Sequence, residues 1–268
     1  YYLSKIKPGL KGEGKIFSDG QDAVLAYRFD QIDLQAKIKV RIDGKIIETS
    51  VGRVLINQTL PQNFEFINKE LKSKDIRAIV DRIFIAYGTD KTAEILDKIK
   101  NLGFDYATVS GISWGMDDLN IPASKKNIVA EARKKVEEVD GHYERGLLTS
   151  EEKRDRIIEI WKSAIDKVGK LVPETLDPYG PVFFMVDSKA RGSWNQISQM
   201  VGLKGLVQNP AGDIIDLPII SSFKEGFNVL EYFISTHGAR KGSADTALRT
   251  ASAGYLTRRL VDVSQDVV

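Results

Sequence analysis

The sequence contains no cysteine and only two histidines, His142 and His237, among its 268 residues. Without cysteine there are no disulfide bonds and no thiolate metal ligands, and two histidines are too few for a histidine-rich zinc site. No apolar run approaches the roughly 20 residues that a membrane-spanning helix needs, and no signal peptide is visible. These absences are typical of a reducing compartment, and they predict neither a membrane partner nor a metal bound by this chain.

Charged residues are present in ordinary amounts and nearly balance. They make up 28% of the chain, apolar residues make up 42%, and the net charge is +2. A basic surface for nucleic acid would therefore have to be local. The length allows one large domain or two smaller ones. Because the chain begins with Tyr1 rather than Met and its last helical pattern runs to Val268, we expect a piece of a longer protein.

The first 122 residues predict a small β-hairpin and several helices. Apolar and basic residues alternate over 37–42 before Asp43-Gly44, which predicts a strand and a two-residue hairpin turn. A helical apolar face over 76–87 ends at Gly88, where a second helix should follow. In that second helix we expect three apolar residues to face inward: Ile95, Leu96 and Ile99. The preceding Gly-rich loop "GLKGEG" has neither the spacing of a Walker loop nor that of a dinucleotide fingerprint.

Residues 124–171 are highly charged and carry one narrow apolar stripe. The pattern breaks over 141–148, and Thr149 with Glu152 then forms a capping-box start for a second helix. Each stripe is wide enough for only one partner, which predicts a projecting antiparallel helical hairpin. A solvated helix pair inside a bundle is the alternative. The stripe consists of Ile128, Ala132, Val136, Val139, Tyr143, Ile157, Trp161, Ile165 and Val168.

The following residues combine connecting segments with a long final helix. "LVPETLDPYGP" is Pro-rich, and "VFFMVDSKARGSW" reads as a strand-like run that leads into a polar turn. "NPAGDIIDLPIISSF" predicts a turn and an extended segment, and a final helix is expected from near Phe223 to the end of the chain. The fold class predicted from all these patterns is α+β and predominantly helical.

Two short motifs suggest chemistry only weakly. "GISWG", from Gly111 to Gly115, matches the nucleophile elbow of serine hydrolases, in which Ser113 would follow a strand ("DYATVS") and precede a helix. Pro122 leaves little room for that helix. The adjacent acids Asp117 and Asp118 have no third carboxylate nearby, so a turn or cap role is favoured over metal binding.

The final helix has almost no bulk along one face. Residues at alternating steps of four and three share that face, which forms a strip about 27 Å long at ~1.5 Å per residue. Small residues let a bulky partner approach the backbone, and terminal arginines suit phosphates. Close packing against another helix is the alternative. Gly242 and Gly254 suggest a helix built to bend. The strip consists of Arg240, Ala244, Ala247, Ala251, Gly254 and Arg258.

Longer stretches of the sequence resemble one family. "FISTHGARKGSADTALRTASAGYLTRRLVDVSQDVV" is similar to the bridge helix of the largest (beta-prime) subunit of bacterial DNA-directed RNA polymerases. "YGTDKTAEILDKIKNLGFDYATVSGISWGMDDLNIP" and "YYLSKIKPGLKGEGKIF" follow the same family in order. The charged hairpin resembles the rim of the secondary channel, and "DSKARGSWNQISQMVGLKGLV" resembles the funnel beside the nucleotide entry path. Coverage is nearly end to end.

The resemblance implies a role for each matching position. Thr250 and Ala251 would lie against the template base, and Arg191 with Met185 would contact the incoming nucleotide. The template strand or RNA–DNA hybrid would be contacted by Arg240, Lys241, Thr250, Ala251, Gly254, Tyr255, Arg258 and Arg259. Transcript-cleavage factors would dock at a hairpin tip that includes Gly141, Tyr143, Arg145 and Leu147. The implied segments are 1–60 (loop and β-hairpin), 61–122 (helical with short strands), 123–172 (rim hairpin), 173–222 (funnel) and 223–268 (bridge helix).

Some residues depart from the family pattern. Lys189 replaces a usual Gly, which would alter a turn. Ser198 and Lys204 replace arginines, which weakens any phosphate-steering role for that helix, and Ser243 replaces a usual Leu. The Mg²⁺-binding aspartate motif and the trigger loop are not present in this sequence, so the chain would be inactive alone.

The resemblance also implies partners and a location. The partners are the beta, alpha and omega subunits, the rest of beta-prime, DNA template, RNA–DNA hybrid and nucleoside triphosphates. The location is the cytoplasm, in association with the nucleoid. Mg²⁺ would belong to the complete polymerase, held by residues outside this segment. A freestanding serine hydrolase and a pure docking module that uses the hairpin remain as alternatives.

Overall fold

The structure is a computed structural model that describes residues 1–61 and 63–267. In these ranges it contains eight α-helices and a three-stranded sheet, which confirms the predicted α+β, predominantly helical class. The strands are β1 Ile16–Phe17, β2 Ile38–Ile42 and β3 Lys45–Thr49. The helices are α1 Gly20–Arg28, α2 Val51–Gln58, α3 Ser73–Ser110, α4 Lys125–Glu144, α5 Ser150–Thr175, α6 Pro181–Asp187, α7 Trp194–Val201 and α8 Val229–Ser264.

These elements form two compact units. Unit 1 comprises Tyr1–Asp118 and Asp177–Ser193, and unit 2 comprises Leu119–Leu176 together with the described residues from Trp194 onward. Each unit has its own buried cluster of apolar side chains. The five segments expected from the resemblance divide the chain by role and stay a prediction.

The sheet of unit 1 confirms the predicted hairpin. Strands β2 and β3 pair antiparallel, with Ile42 opposite Lys45, while β1 pairs parallel with β2. The turn residues Asp43 and Gly44 have φ values of 50° and 79°. Positive φ at both central positions defines the turn whose twist matches that of the flanking strands. The Asp-Gly pair therefore sets the register of this hairpin.

The core of unit 1 lies between this sheet and helices α1 and α2. Ile38 and Val40 on β2 are fully buried with Ala23 of α1 and Val51 of α2. Gly52 permits the closest approach, since a Cβ at this position would stand 2.0 Å from the backbone oxygen of Leu3. Only glycine fits there.

Helix α3 breaks where the sequence predicted the end of a helix. Gly88 has φ 74° and ψ −177°, so two helical halves meet at this residue. Ile79 and Ile83 of the first half pack in one cluster with Ile95 of the second. The prediction was wrong for Leu96, which is 41% exposed because it lies outside that contact face.

Unit 2 is built on the helical hairpin that the charged pattern predicted. The two helices α4 and α5 pack together, and their buried cluster contains Val129, Ala132, Trp161 and Val168 together with Leu203, which follows α7. Thr149 forms the predicted capping box: Glu152 accepts a hydrogen bond from the Thr149 backbone N–H, and the Thr149 hydroxyl accepts one from the Glu152 backbone N–H. Tyr143, expected in the stripe, is 41% exposed near the end of α4.

Two local predictions were wrong. The apolar run over 181–187 is helix α6, not a strand; Pro181 occupies its first turn, where the missing N–H costs nothing. Residues 105–110 belong to α3, so "DYATVS" is not the strand that the hydrolase alternative would need. Helix α8 begins at Val229 rather than near Phe223, because Asn228 and Glu231 form a capping box there. The predicted extended segment is present as bridges Gly205↔Ile219 and Gln208↔Ile214.

Candidate nucleic-acid interface

Helix α8 is a continuous rod that is anchored at only one end. Its 36 residues span about 54 Å at 1.5 Å per residue. Only Glu231 and Ile234 are buried, and Ile234 packs with Val207 and Ile219. The backbone of α8 passes close to this contact at Gly238, since a Cβ there would lie 2.9 Å from a methyl group of Val207. Beyond residue 245 every described residue of α8 is exposed.

The small-residue strip lies in this exposed part. Ala244, Ala247, Ala251 and Gly254 are all exposed, and a Cβ at Gly254 would meet nothing within 4 Å. No described residue of the chain covers the strip, so close packing against another helix of this chain is not its explanation. The strip is a free surface, slim enough for a flat partner to approach the backbone.

Basic side chains border the strip. Five basic and two acidic residues lie between positions 240 and 262, so this part of α8 is locally positive. Arg258 stands 4.0 Å from Asp262 in an exposed pair that holds it weakly. The Arg259 guanidinium lies 5.5 Å from the ring centre of Tyr255. Arg240 and Arg258 thus mark the two ends of an exposed surface.

Threonine hydroxyls beside the strip are already engaged. The hydroxyls of Thr246 and Thr250 each donate at 2.8 Å to the carbonyl four residues earlier, and that of Thr257 donates to Ala253 at 3.0 Å. Such bonds leave the methyl groups to form the contact surface and favour slight bending of a helix. Thr250 therefore offers a partner an apolar methyl group next to Ala251.

The opposite side of α8 is apolar toward its C-terminal end. At about 100° per residue, Leu256, Leu260 and Val263 lie on the side away from Ala251. They are 56%, 59% and 81% exposed. Nearer the middle of the helix this side is polar, because Asp245 and Arg249 lie on it. The last turns of α8 therefore combine a slim, basic-edged face with an apolar one, which suits contact with two different partners.

The two predicted nucleotide-contacting residues lie together in unit 1. The Arg191 backbone N–H donates to the Met185 carbonyl at 3.3 Å, and the Arg191 side chain is exposed. Lys189, between them, has φ 61°, a left-handed value that glycine adopts most readily. Lys189 therefore keeps the backbone conformation of a glycine turn, and this conformation is strained for a residue that has a side chain. Met185 also lines a cavity of about 590 Å³ together with Phe184, Tyr106 and Arg77.

The hairpin tip is exposed and locally braced. Leu147 is 67% exposed and Arg145 is exposed as well, whereas Gly141 is half-buried in the last turns of α4. Lys153 pairs with Asp140 at 2.8 Å and lies 4.7 Å from the ring centre of Tyr143. The hydrogen bond to Asp140 raises the pKa of Lys153. The four predicted tip residues thus share one end of the hairpin.

The departures from the family pattern have structural counterparts. The Lys204 ammonium donates to Gln199 at 2.7 Å and lies 4.8 Å from the ring centre of Phe223, and burial lowers its pKa. The Lys204 ammonium therefore already has partners inside unit 2. Ser198 faces α5, since a Cβ at Gly169 would lie 3.5 Å from its hydroxyl. Ser243 is exposed on α8.

The hydrolase alternative fails on local geometry. Ser113 follows the end of helix α3 rather than a strand, and only a three-residue 3-10 helix, Met116–Asp118, comes after it. A nucleophile elbow needs a strand before the serine and a helix after it. Asp118 instead accepts a hydrogen bond from the Gly115 N–H at 2.7 Å, which confirms its predicted turn role.

Neither a group of metal-ligating side chains nor a membrane-spanning helix is found among the described residues. Within 1–61 and 63–267 no three His, Asp or Glu side chains form a group that could hold a metal ion. No helix in these ranges is both long enough and apolar enough to cross a bilayer.

Sequence reasoning missed one functional-site candidate: Glu231, which caps α8 and is buried, although the Asn-x-x-Glu spacing was readable as a capping box.

The chain matches family models along nearly its whole length. Models of RNA polymerase Rpb1 match three consecutive parts of the chain: domain 3 over residues 1–119, domain 4 over residues 124–225 and domain 5 over residues 226–268. The chain therefore belongs to the family of RNA polymerase largest subunits.

The similar proteins of this family are DNA-directed RNA polymerase beta' subunits. The one from Desulforudis audaxviator is 52% identical over 269 residues, and the one from Pelotomaculum thermopropionicum is 50% identical over 269 residues. The one from Clostridium acetobutylicum is 46% identical over 289 residues. All three matches cover 100% of this chain but only 23% or 24% of the relative. The chain thus spans about a quarter of the length of these relatives, and it resembles a beta-prime segment throughout.

Proposed function

We propose that this chain forms part of the active-centre region of a DNA-dependent RNA polymerase, in which α8 supports the template base and the RNA–DNA hybrid. The observation that carries the proposal is the exposed strip from Ala244 to Gly254 between Arg240 and Arg258. A strip without bulk lets a nucleobase lie close to the helix backbone, and guanidinium groups at its ends suit backbone phosphates.

The apolar face of α8 supports the same orientation. Leu256, Leu260 and Val263 are exposed in this chain, and burying them against protein would be favourable. Nucleic acid would then meet the opposite, basic-edged face. In this arrangement Tyr255, Lys241 and Arg259 flank the template or hybrid. Bending of α8 near Gly242 and Gly254 would help the nucleic acid to advance after each nucleotide addition.

We further propose that Arg191 and Met185 contact the incoming nucleoside triphosphate. The hydrogen bond between their backbones keeps them in one turn, and the exposed Arg191 guanidinium is free to grip phosphate oxygens. The hairpin tip with Leu147 would serve as the docking point for transcript-cleavage factors. Other polymerase subunits (beta, alpha, omega and the rest of beta-prime) would cover the exposed apolar surfaces, and the cytoplasmic location stays a prediction.

Catalytic Mg²⁺ would be held elsewhere in the complete enzyme. Asp117 and Asp118, the adjacent acids of this chain, do not form a donor set with a third carboxylate among the described residues. The chain's own residues would position the template and nucleotide, which is the part of nucleotidyl transfer that depends on orientation.

The experiment for α8 is a polymerase that carries Ala251→Trp in its beta-prime subunit. The indole would occupy the place of the template base, so elongation should slow on the order of 100-fold, as misplaced reactants do. Ala251→Ser keeps the strip slim and is the matched control; its elongation rate should stay near that of the unaltered enzyme. Normal elongation by the Trp variant, in fully assembled polymerase, would reject the proposed role of the strip.

The experiment for the hairpin is Leu147→Glu at the exposed tip. A buried charge at a docking surface is costly, so factor-dependent transcript cleavage should fall about tenfold or more. Elongation without the factor should be unchanged. Ala130→Glu is the matched control, because Ala130 is an exposed apolar residue on the shaft of α4. Equal loss in both variants would contradict docking at the tip.

A further inference from the structure

Residues 219–228, which we call the joint, connect the extended segment of unit 2 to α8. Glu231 in the first turn of α8 is buried, although it carries a charge. One carboxylate oxygen accepts the backbone N–H groups of Ile220 and Ser221, each at 3.0 Å, and the other accepts that of Asn228 at 3.2 Å. A flexible linker would need no such carboxylate.

A second carboxylate ties the joint to the helical hairpin. Glu225 accepts the backbone N–H and the hydroxyl of Ser222, both at 2.9 Å, and also the ammonium of Lys125. Lys125 is the first residue of α4, and its side chain is only 6% exposed. Burial opposes ionisation of Glu225, yet the hydrogen bonds from Lys125 and Ser222 hold its pKa below the ordinary value.

Backbone hydrogen bonds fix the middle of the joint. The N–H groups of Phe223 and Lys224 donate to the carbonyls of Gln199 and Met200 at 3.2 and 3.0 Å. The Lys224 ammonium donates to the carbonyl of Leu119, the residue at which unit 2 begins. The joint is therefore held from α4, α7, α8 and the segment before α4 at once.

The buried charges of Lys125 and Glu231 explain why this arrangement is rigid, while the Glu225 side chain is 34% exposed. Removing a charge from water is costly, and a buried charge that loses its partner is strongly destabilising. Glu225 and Glu231 keep their hydrogen bonds only while Lys125, Ser222 and the backbone of 220–221 hold their present positions. A movement of the base of α4 thus cannot leave the start of α8 unchanged.

We propose that the joint makes the base of the helical hairpin and the first turns of α8 move as one body, with Lys125, Glu225 and Glu231 as positioning residues. The proposal rests on the proposed function only for its consequence, namely that disturbing the joint misplaces the strip that supports the template. None of the three residues is placed against nucleic acid.

The test uses complete polymerase with Lys125→Met, Glu225→Gln or both in its beta-prime subunit. Amide hydrogen exchange over residues 229–240, measured without nucleic acid, should rise about tenfold in each single variant, because each change breaks the ion pair that ties the joint to α4. The double variant should rise little further, because both changes break one interaction. Lys125→Arg keeps the charge, so its exchange over residues 229–240 should stay near that of the unaltered enzyme.

A matched control and a second readout make the outcomes decisive. Lys153→Met breaks the Lys153–Asp140 pair at the other end of the hairpin and should leave exchange over 229–240 unaltered. Unchanged exchange in both joint variants, or an equal rise with Lys153→Met, overturns the joint. Raised exchange with slower elongation supports the joint and its consequence. Raised exchange with normal elongation supports the joint as a structural coupling and counts against the proposed role of α8.

Discussion

The helical hairpin and α8 are both long helical elements of unit 2, yet they bury their side chains very differently. The hairpin encloses Val129, Ala132, Trp161 and Val168 between its own two helices. Helix α8 buries only Glu231 and Ile234, both in its first two turns. The hairpin therefore finds its partner within the chain, whereas most of α8 is not covered by any described residue of the chain.

The difference shows that the same residue type has different surroundings in the two regions. Alanine in the hairpin, such as Ala132 or Ala164, is small because another helix lies against it. Alanine in α8, such as Ala247 or Ala251, is exposed and touches no other element of the chain. Identical small residues thus serve internal packing in one region and stay exposed in the other, where the proposed function gives them an external contact. Four substitutions test this distinction.

Trp161→Ala should have the largest effect on stability. Trp161 is 4% exposed in the middle of the hairpin core, so its loss should lower the free energy of unfolding by about 3–5 kcal/mol. Leu260→Ala in α8, where the side chain is 59% exposed, should change it by less than about 0.5 kcal/mol. Denaturant unfolding of the 268-residue chain measures both, and similar losses would remove the contrast between the two regions.

Gly202→Ala should be the next largest. A Cβ at this position would lie 2.6 Å from the Ser198 carbonyl oxygen and 3.0 Å from a methyl group of Val168 in α5. The backbone oxygen cannot move aside freely, so we expect a loss of about 1–3 kcal/mol from overpacking. The same unfolding measurement applies. A gain in stability would show that the contact between Gly202 and Val168 of α5 leaves room for an added methyl group.

Gly254→Ala should have the smallest effect, and the opposite sign. Its Cβ would meet nothing within 4 Å, so alanine should favour the helix by about 1 kcal/mol. Circular dichroism of a peptide with residues 229–264 should record higher helicity. If assembled polymerase with this variant nevertheless elongates more slowly, the glycine serves an external contact or bending and not the fold of α8. Lower helicity would contradict the open surroundings of Gly254.

Several elements followed from local patterns. The Asp43-Gly44 turn, the break at Gly88 and the capping box at Thr149 each depend on a few neighbouring residues, so the sequence predicted them correctly. Helix α6 did not follow, because an apolar run of seven residues suits a strand and a buried helix equally. In the fold Phe184 packs against Tyr1 and Tyr2, a contact with residues far away in the chain that a local pattern does not carry.

The candidate site divides in the same way. The spacing of small residues along α8 and its bordering arginines could be listed from the sequence, because a helix repeats every 3.6 residues. Their exposure could not, since an identical strip would serve close helix packing. The partners of Lys125, 100 positions before Glu225, were equally unpredictable.

The sequence by itself determined the helical hairpin, the β-turn, the slim face of α8 and membership of the RNA polymerase largest-subunit family. These depend on periodicity and on runs of neighbouring residues, whose physical effects act over a few turns of chain. Tertiary structure alone decided that the slim face of α8 stays uncovered and which carboxylates become buried. Those outcomes depend on contacts between residues far apart in the chain, and a local pattern carries no information about which distant surface will cover it.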